Sequence, residues 1–201
     1  MTTYIEEQYD GNDFSYVNWS ESELRNCTFT SCRFRGAQLD GAVTTSCQFI
    51  DCDFTGAVLN GSTHTHSAFT NCRFTGVNLF AAKFAECKMV GTDFTTVLWD
   101  GITIIGGDWS YTNMRHANLT RQNLRGVRFM EADLTESKLE KADLRDADLT
   151  RTNLTKTKLA GADLRGAEMN GVNFKALELT KVRIDMIQAV AFARAYGAKV
   201  D

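Results

Sequence analysis

The sequence predicts an all-β solenoid with four sides to each coil, closed by one C-terminal α-helix. Three observations carry that reading: an apolar residue at every fifth position, a small residue two places before each, and a second period of twenty residues. Stepping by five from Phe14 to Ile184 gives 35 positions, of which only Thr44 and His64 are not apolar. Two places earlier, 31 of the 35 hold Ala, Ser, Cys, Thr, Val or Gly, the exceptions being Asn12, Ile102, Gln122 and Leu177. Five matches neither the 3.6-residue helical stripe nor the two-residue strand alternation, so the pattern is a repeat to be read as one.

The elements follow in order. The opening MTTYIEEQYD is acidic and polar, so no signal peptide is expected, and no apolar run approaches transmembrane length. From there the register never slips. Phe14, Phe34, Phe54, Phe74 and Phe94 lie twenty apart, as do Phe29, Phe49 and Phe69, and Leu39, Leu59 and Leu79. Four pentapeptides therefore make one coil, and like side chains stack in columns inside. At the strand spacing of ~4.8 Å, about nine coils make a rod of roughly 40 Å. The rhythm stops at Ile184, which sets a repeat domain at 1–184 and a tail at 185–201. In the tail, Asp185 with Gln188 resembles a capping box and Gly197 is a natural stop, so DMIQAVAFARAYG reads as a helix. It is apolar on most sides. One face can close the open end of the solenoid, and the rest calls for a partner, which makes Met186, Ile187, Val190, Phe192 and Tyr196 candidate homodimer contacts; a simple monomer cap is the alternative.

The net charge of −3 argues against a basic nucleic-acid binder, yet it is unevenly spread. Residues 1–60 carry nine acids and three bases, and residues 111–201 carry sixteen bases and twelve acids. All six cysteines (Cys27, Cys32, Cys47, Cys52, Cys72 and Cys87) occupy the small inward position, without a CxxC, and read as buried hydrophobes in a reduced, cytoplasmic protein rather than metal ligands. His64 replaces an apolar centre and His66 follows it outside. A catalytic base needs a nucleophile or an orienting acid in reach, and the neighbouring columns supply only Thr44, Phe84 and Ser or Thr, so a hydrogen-bonded structural histidine is expected. His116 reads as a surface residue. No P-loop, GxGxxG, GxSxG or HExxH occurs, and no enzyme, cofactor or metal is expected.

ADLRD, ADLTR, ADLRG, CRFRG and CDFTG, spread over almost the whole chain, resemble the A(D/N)LXX motif of the pentapeptide-repeat family. That resemblance implies a right-handed quadrilateral β-helix. QAVAFARAYG, together with FAECKMVG at 84–91, is similar to the mycobacterial fluoroquinolone-resistance members of the MfpA type. These are cytosolic, dimerise through a C-terminal helix and bind DNA gyrase. The resemblance implies a rod-shaped dimer that mimics duplex DNA on DNA gyrase or topoisomerase IV, with no membrane or direct nucleic-acid partner. The unbroken register departs from the plasmid-borne Qnr proteins, whose loops interrupt the repeat.

Charge supports mimicry only in part. A dimer of roughly 80 Å replaces B-DNA with on the order of 50 charges, at one per ~1.7 Å. Twice the formal charge of −3 is far less. One side stands out, that centred on Phe29, Phe49, Phe69, Met89, Trp109, Phe129, Leu149 and Met169. It carries Asp51, Asp108, Glu131, Asp148 and Glu168 against Lys88, Arg128 and Arg151, and its outward column holds Ile50, Val90 and Met130. An apolar patch rimmed by acids reads as a partner surface, and a solvated face with tolerated apolar residues is the alternative. A scaffold or adaptor with an unrelated protein partner remains the other function class, because one fold hosts many roles. The mixed column Thr30, Ile50, Thr70, Val90, Ser110, Met130 and Thr150 lacks the regular threonine grid of an ice-binding solenoid.

Overall fold

In the computed structural model, which describes residues 2–200, the chain winds into stacked coils whose backbones pair in parallel at an offset of twenty residues. The strands are β1 (Thr3–Ile5), β2 (Gln8–Asp10), β3 (Glu23–Arg25), β4 (Thr28–Thr30), β5 (Val43–Thr45), β6 (Gln48–Ile50), β7 (Thr63–Thr65), β8 (Ala68–Thr70), β9 (Lys83–Ala85) and β10 (Thr103–Ile105). They form two ladders, β1-β3-β5-β7-β9-β10 and β2-β4-β6-β8. Single paired residues continue the same register on all four sides, from Asp13↔Arg33 to Asp163↔Arg183. We call the sides A (centres Leu24 to Leu164), B (Phe29 to Met169), C (Phe34 to Leu154) and D (Trp19 to Leu179).

Each pentapeptide position has its own physics. The centre and the small residue two places before it are buried along most of the rod. Neighbouring rings in a column stack at 4.7 to 4.9 Å, as for Phe29 on Phe49, Phe49 on Phe69 and Phe34 on Phe54, while rings of adjacent sides meet edge to face. The small position is tight because the carbonyl of a centre one coil back points at it. Cys52 Sγ donates to Phe29 O at 3.4 Å, Cys72 Sγ to Phe49 O at 3.3 Å, and Thr92 Oγ1 to Phe69 O at 2.6 Å. Two places after each centre the backbone turns with positive φ, as at Asp51 (+54°), Glu131 (+56°) and Gly101 (+72°). This left-handed corner is repeated along the rod even where the residue is not glycine.

At the position before the centre, Asp and Asn add a local turn. Their side-chain oxygen accepts the N–H two residues on. Asp53 Oδ1 takes Thr55 N at 3.0 Å, Asn78 Oδ1 takes Phe80 N at 3.0 Å, and Asp148 Oδ1 takes Thr150 N at 3.0 Å. That N–H is then lost to the ladder. Sides A and B of the N-terminal coils form three-residue strands, whereas sides C and D pair through single residues whether that position holds Asp or Asn or, as at Gln38, Val58 and Arg73, does not; the coils beyond β10 pair through single residues.

The repeat deviates at two places. At Phe174–Ala176 a 3₁₀ turn, capped by Asn173 Oδ1, replaces the corner of the last coil. The single C-terminal helix α1 (Met186–Ala195) then folds against the coil end. Its start is the expected capping box: Gln188 N bonds Asp185 Oδ1 at 3.0 Å, and Asp185 N bonds Gln188 Oε1 at 3.0 Å. At its end Gly197 has φ +88°, with Gly197 N on Arg194 O and Ala198 N on Ala193 O, the paired bonds of a Schellman stop.

Candidate interaction surface

The five candidate acids of side B occupy two kinds of position. Asp108, Asp148 and Glu168 share the column before the centre, in the ladder Lys88↔Asp108↔Arg128↔Asp148↔Glu168, while Asp51 and Glu131 sit at left-handed corners. Much of their charge is already answered. Arg128 reaches Asp108 at 3.2 Å and Asp148 at 3.8 Å, and Arg151 pairs with Glu131. Asp108 and Asp148 also hold turns, through Ser110 and Thr150. Among the described residues only Asp51 and Glu168 of this set form no ion pair.

The apolar members differ from the outward column expected of them. Ile50, Val90 and Met130 are half-buried, because the residue after each centre lies against the neighbouring coil. Thr70 and the fully buried Ser110 stand between them, so they form no continuous strip.

The candidate contacts of α1 divide into two groups. Met186, Ile187 and Tyr196 are 78%, 82% and 57% exposed. Val190 and Phe192 are half-buried, and the Phe192 ring stands edge-on to Phe174 at 6.3 Å, which places Phe192 in the cap. The helix residue buried most deeply is polar: Gln188 Nε2 donates to Leu164 O at 2.5 Å, which also accepts from Ala167 N, and to Ala167 O at 2.9 Å. Gly166, Met169, Asn170, Phe174, Ile187 and Ala191 line a groove between this coil and α1.

His64 is buried and fully bonded. Ser62 Oγ donates to Leu59 O at 2.7 Å, so it accepts from His64 Nε2 at 2.9 Å, and Nδ1 then accepts from Thr44 Oγ1 at 2.8 Å. Burial lowers its pKa to about 3, which keeps the ring neutral, and it stacks on Phe84 at 4.8 Å. His66 lies outside at a left-handed corner, and His116 faces Glu136 at 3.5 Å. The six cysteines are free and buried, and burial pushes the Cys47 and Cys87 thiols up to about 11.

Side D carries a surface that the charge sorting passed over. Its first five coil segments, 17–21, 37–41, 57–61, 77–81 and 97–101, contain Glu21, Asp40 and Asp100 and no Lys or Arg. Phe80 and Leu98 project here, 56% and 57% exposed, on adjacent coils joined at Asn78↔Leu98. Farther along, Arg121, Lys138, Lys141, Lys158 and Lys181 are exposed on the same side, with Glu140 and Glu178. None of these five cations forms an ion pair among the described residues. Counting the side as a whole gave near neutrality, whereas counting it by halves would have exposed the polarity. Side A shows the opposite treatment: Arg145 and Arg165 lie on Asp143 and Asp163 at 2.5 and 2.7 Å, and the hydrogen bonds from Arg165 hold the Asp163 carboxyl near about 2.

Comparison with known proteins agrees with this architecture. The family description "Pentapeptide repeats" matches in eight copies over residues 13–43, 47–84, 65–95, 112–151 and 147–184. No curated protein matches the chain. Full-length QnrB1, a plasmid-mediated fluoroquinolone resistance protein, superposes with a TM-score of 0.86 at 20% identity, over 98% of this chain and 100% of that one. A trypsin-treated variant of QnrB1 gives 0.84 at 21% identity, covering 98% and 99%. HetL, involved in heterocyst differentiation regulation in the cyanobacterium Nostoc sp. strain PCC 7120, gives 0.50 at 21% identity, covering 90% and 86%.

Proposed function

The chain belongs to the pentapeptide-repeat family, and we propose that it is a non-enzymatic, cytoplasmic DNA mimic that binds DNA gyrase, or topoisomerase IV, and alters the response to fluoroquinolones or topoisomerase toxins. The observation that carries the reading is the form of the rod: an unbroken coil register over the length of the chain, ending in a helix that caps the core while leaving Met186, Ile187 and Tyr196 outside. Two copies joined end to end through those residues make a straight rod of roughly 80 Å, long enough to lie where a DNA segment would. The similarity of QnrB1 in fold and the resemblance of the tail to the mycobacterial resistance proteins support the same reading.

Shape has to supply more of the mimicry than charge. Among the described residues, the side B candidate acids free of ion pairs are Asp51 and Glu168, and on side D Glu21, Asp40 and Asp100 are also without ion pairs. The test is gyrase supercoiling and cleavage-complex formation with the purified protein, with ciprofloxacin in parallel. Inhibition of supercoiling or reduced drug-stabilised cleavage is expected, and no effect at micromolar protein would sink the proposal.

The pairing of Asp108, Asp148 and Glu131 favours a second reading. With much of its candidate face neutralised, the rod also suits a scaffold for an unrelated protein partner. A pull-down that enriches another protein and leaves gyrase behind would select it.

A further inference from the structure

We propose that side D is a self-complementary surface through which two copies pack side by side and antiparallel, a contact distinct from any at the C-terminal helix. Two observations on this side need an explanation. Phe80 and Leu98 are more than half exposed in a rod whose centre columns are buried along most of its length. Lys138 and Lys158 are paired in register on adjacent coils, with Arg121, Lys141 and Lys181 along the neighbouring corner, and among the described residues no carboxylate pairs with any of them. Like charges opposed across a ladder destabilise it, so the chain on its own leaves a repulsion that an acidic partner would relieve.

The acidic partner that fits is the other half of the same side. A face-to-face contact with the rods reversed has its two-fold axis in the contact plane, across the rods, so each column of one copy faces the same column of the other. With the axis between the coils of Trp99 and Leu119, the coil of Trp99 faces the partner's Leu119 coil, Leu79 faces Leu139, Leu59 faces Leu159, and Leu39 faces Leu179. Arg121 then lies opposite Gly101 and beside Asp100; Lys181 lies opposite Gly41 and beside Asp40. Lys141 meets Ala81, next to the Phe80 ring, and Lys158 lays its stem over Val58. The corner cations thus face Gly or Ala, where there is room for them, and no acid faces an acid or base a base in register. Phe80 and Leu98 fall near the centre of the contact, opposite the partner's Glu140 and the partner's Asn118, so the contact covers both side chains. Such a dimer covers Asp40 and Asp100, so it and a cationic partner on those residues exclude one another.

The test is mass against concentration by sedimentation velocity, on the full chain and on Ile187→Asp, which disables the exposed face of α1. Ile187→Asp is expected to retain a concentration-dependent dimer that weakens from 50 to 500 mM salt. Adding Arg121→Glu and Lys141→Glu should weaken that dimer at least tenfold, and further adding Asp100→Lys should recover part of the loss. Phe80→Asp should abolish it while circular dichroism stays unchanged. A strictly monomeric Ile187→Asp protein, or charge reversals that leave the dimer intact, would overturn the proposal. So would salt-sensitive retention of duplex DNA by the five cations without any change in mass.

Discussion

At the residue scale, His64 shows how a polar side chain is held in a hydrophobic column. Both ring nitrogens are engaged by Ser62 and Thr44, and burial depresses its pKa to about 3 from the ordinary 6.5. The unfolded chain takes up a proton below 6.5 that the folded ring refuses, so stability is full above that pH and falls as pH drops towards 3. The limiting slope is about 1.4 kcal/mol per pH unit, or about 2 kcal/mol between pH 7 and 5. Urea midpoints measured across this range should show that loss, and His64→Phe should remove it, since Ser62 keeps Leu59 O and Thr44 keeps Ser67 as partners. Gly107 is the second sensitive position. Its φ is +89°, and an added Cβ would come within 2.3 Å of Cys87 O, just where the bulky Trp109 replaces phenylalanine in its column. Gly107→Ala should cost on the order of 2 kcal/mol in denaturant unfolding, whereas Gly126→Ala, with open space around it, should cost clearly less. The buried columns were legible because burial dictates residue type directly. The Asp and Asn turns were not: a carboxylate that caps the N–H two residues on looks, in sequence, like a free surface charge.

At the scale of elements, the helix boundaries could be read from Asp185, Gln188 and Gly197 because capping chemistry is local. The role of Gln188 beyond the cap could not, since it depends on Leu164 O and Ala167 O, which lie a coil away. Gln188→Leu should leave Ala167 O and Asp185 N unsatisfied, while Leu164 O keeps Ala167 N, and lower stability by about 2 kcal/mol. Faster amide exchange in α1 would accompany it, and an unchanged exchange pattern would count against the capping role. Met186→Ser, at an exposed position, should change monomer stability by less than about 0.5 kcal/mol. The 3₁₀ turn at Phe174–Ala176 left a single mark in the register, Leu177 at a small position directly after it, because Phe174 still occupies a centre position. What distinguishes it is the packing of α1 on that coil.

At the scale of the molecule, charge is organised by side and by half. Sides A, B and C carry internal ion pairs across or within coils, as in Arg125–Asp146, Arg128–Asp108 and Arg35–Asp53. Side D forms no ion pair among the described residues, and its bases are confined to the C-terminal half, with Glu140 and Glu178 as the acids there. Exposed pairs of this kind contribute little to stability, so their arrangement bears on which surfaces remain available to partners. The whole-side count that picked side B missed this, since ion pairing and polarity along the rod depend on which coils adjoin. The central claim is that the rod occupies the place of DNA on a type II topoisomerase. The direct measurement is binding of the purified protein to gyrase by fluorescence anisotropy, in competition with a labelled linear duplex. The account predicts that the protein displaces the duplex and that Asp51→Lys with Glu168→Lys weakens displacement while the coil stays folded. Gyrase that holds the duplex unchanged at saturating protein would contradict it.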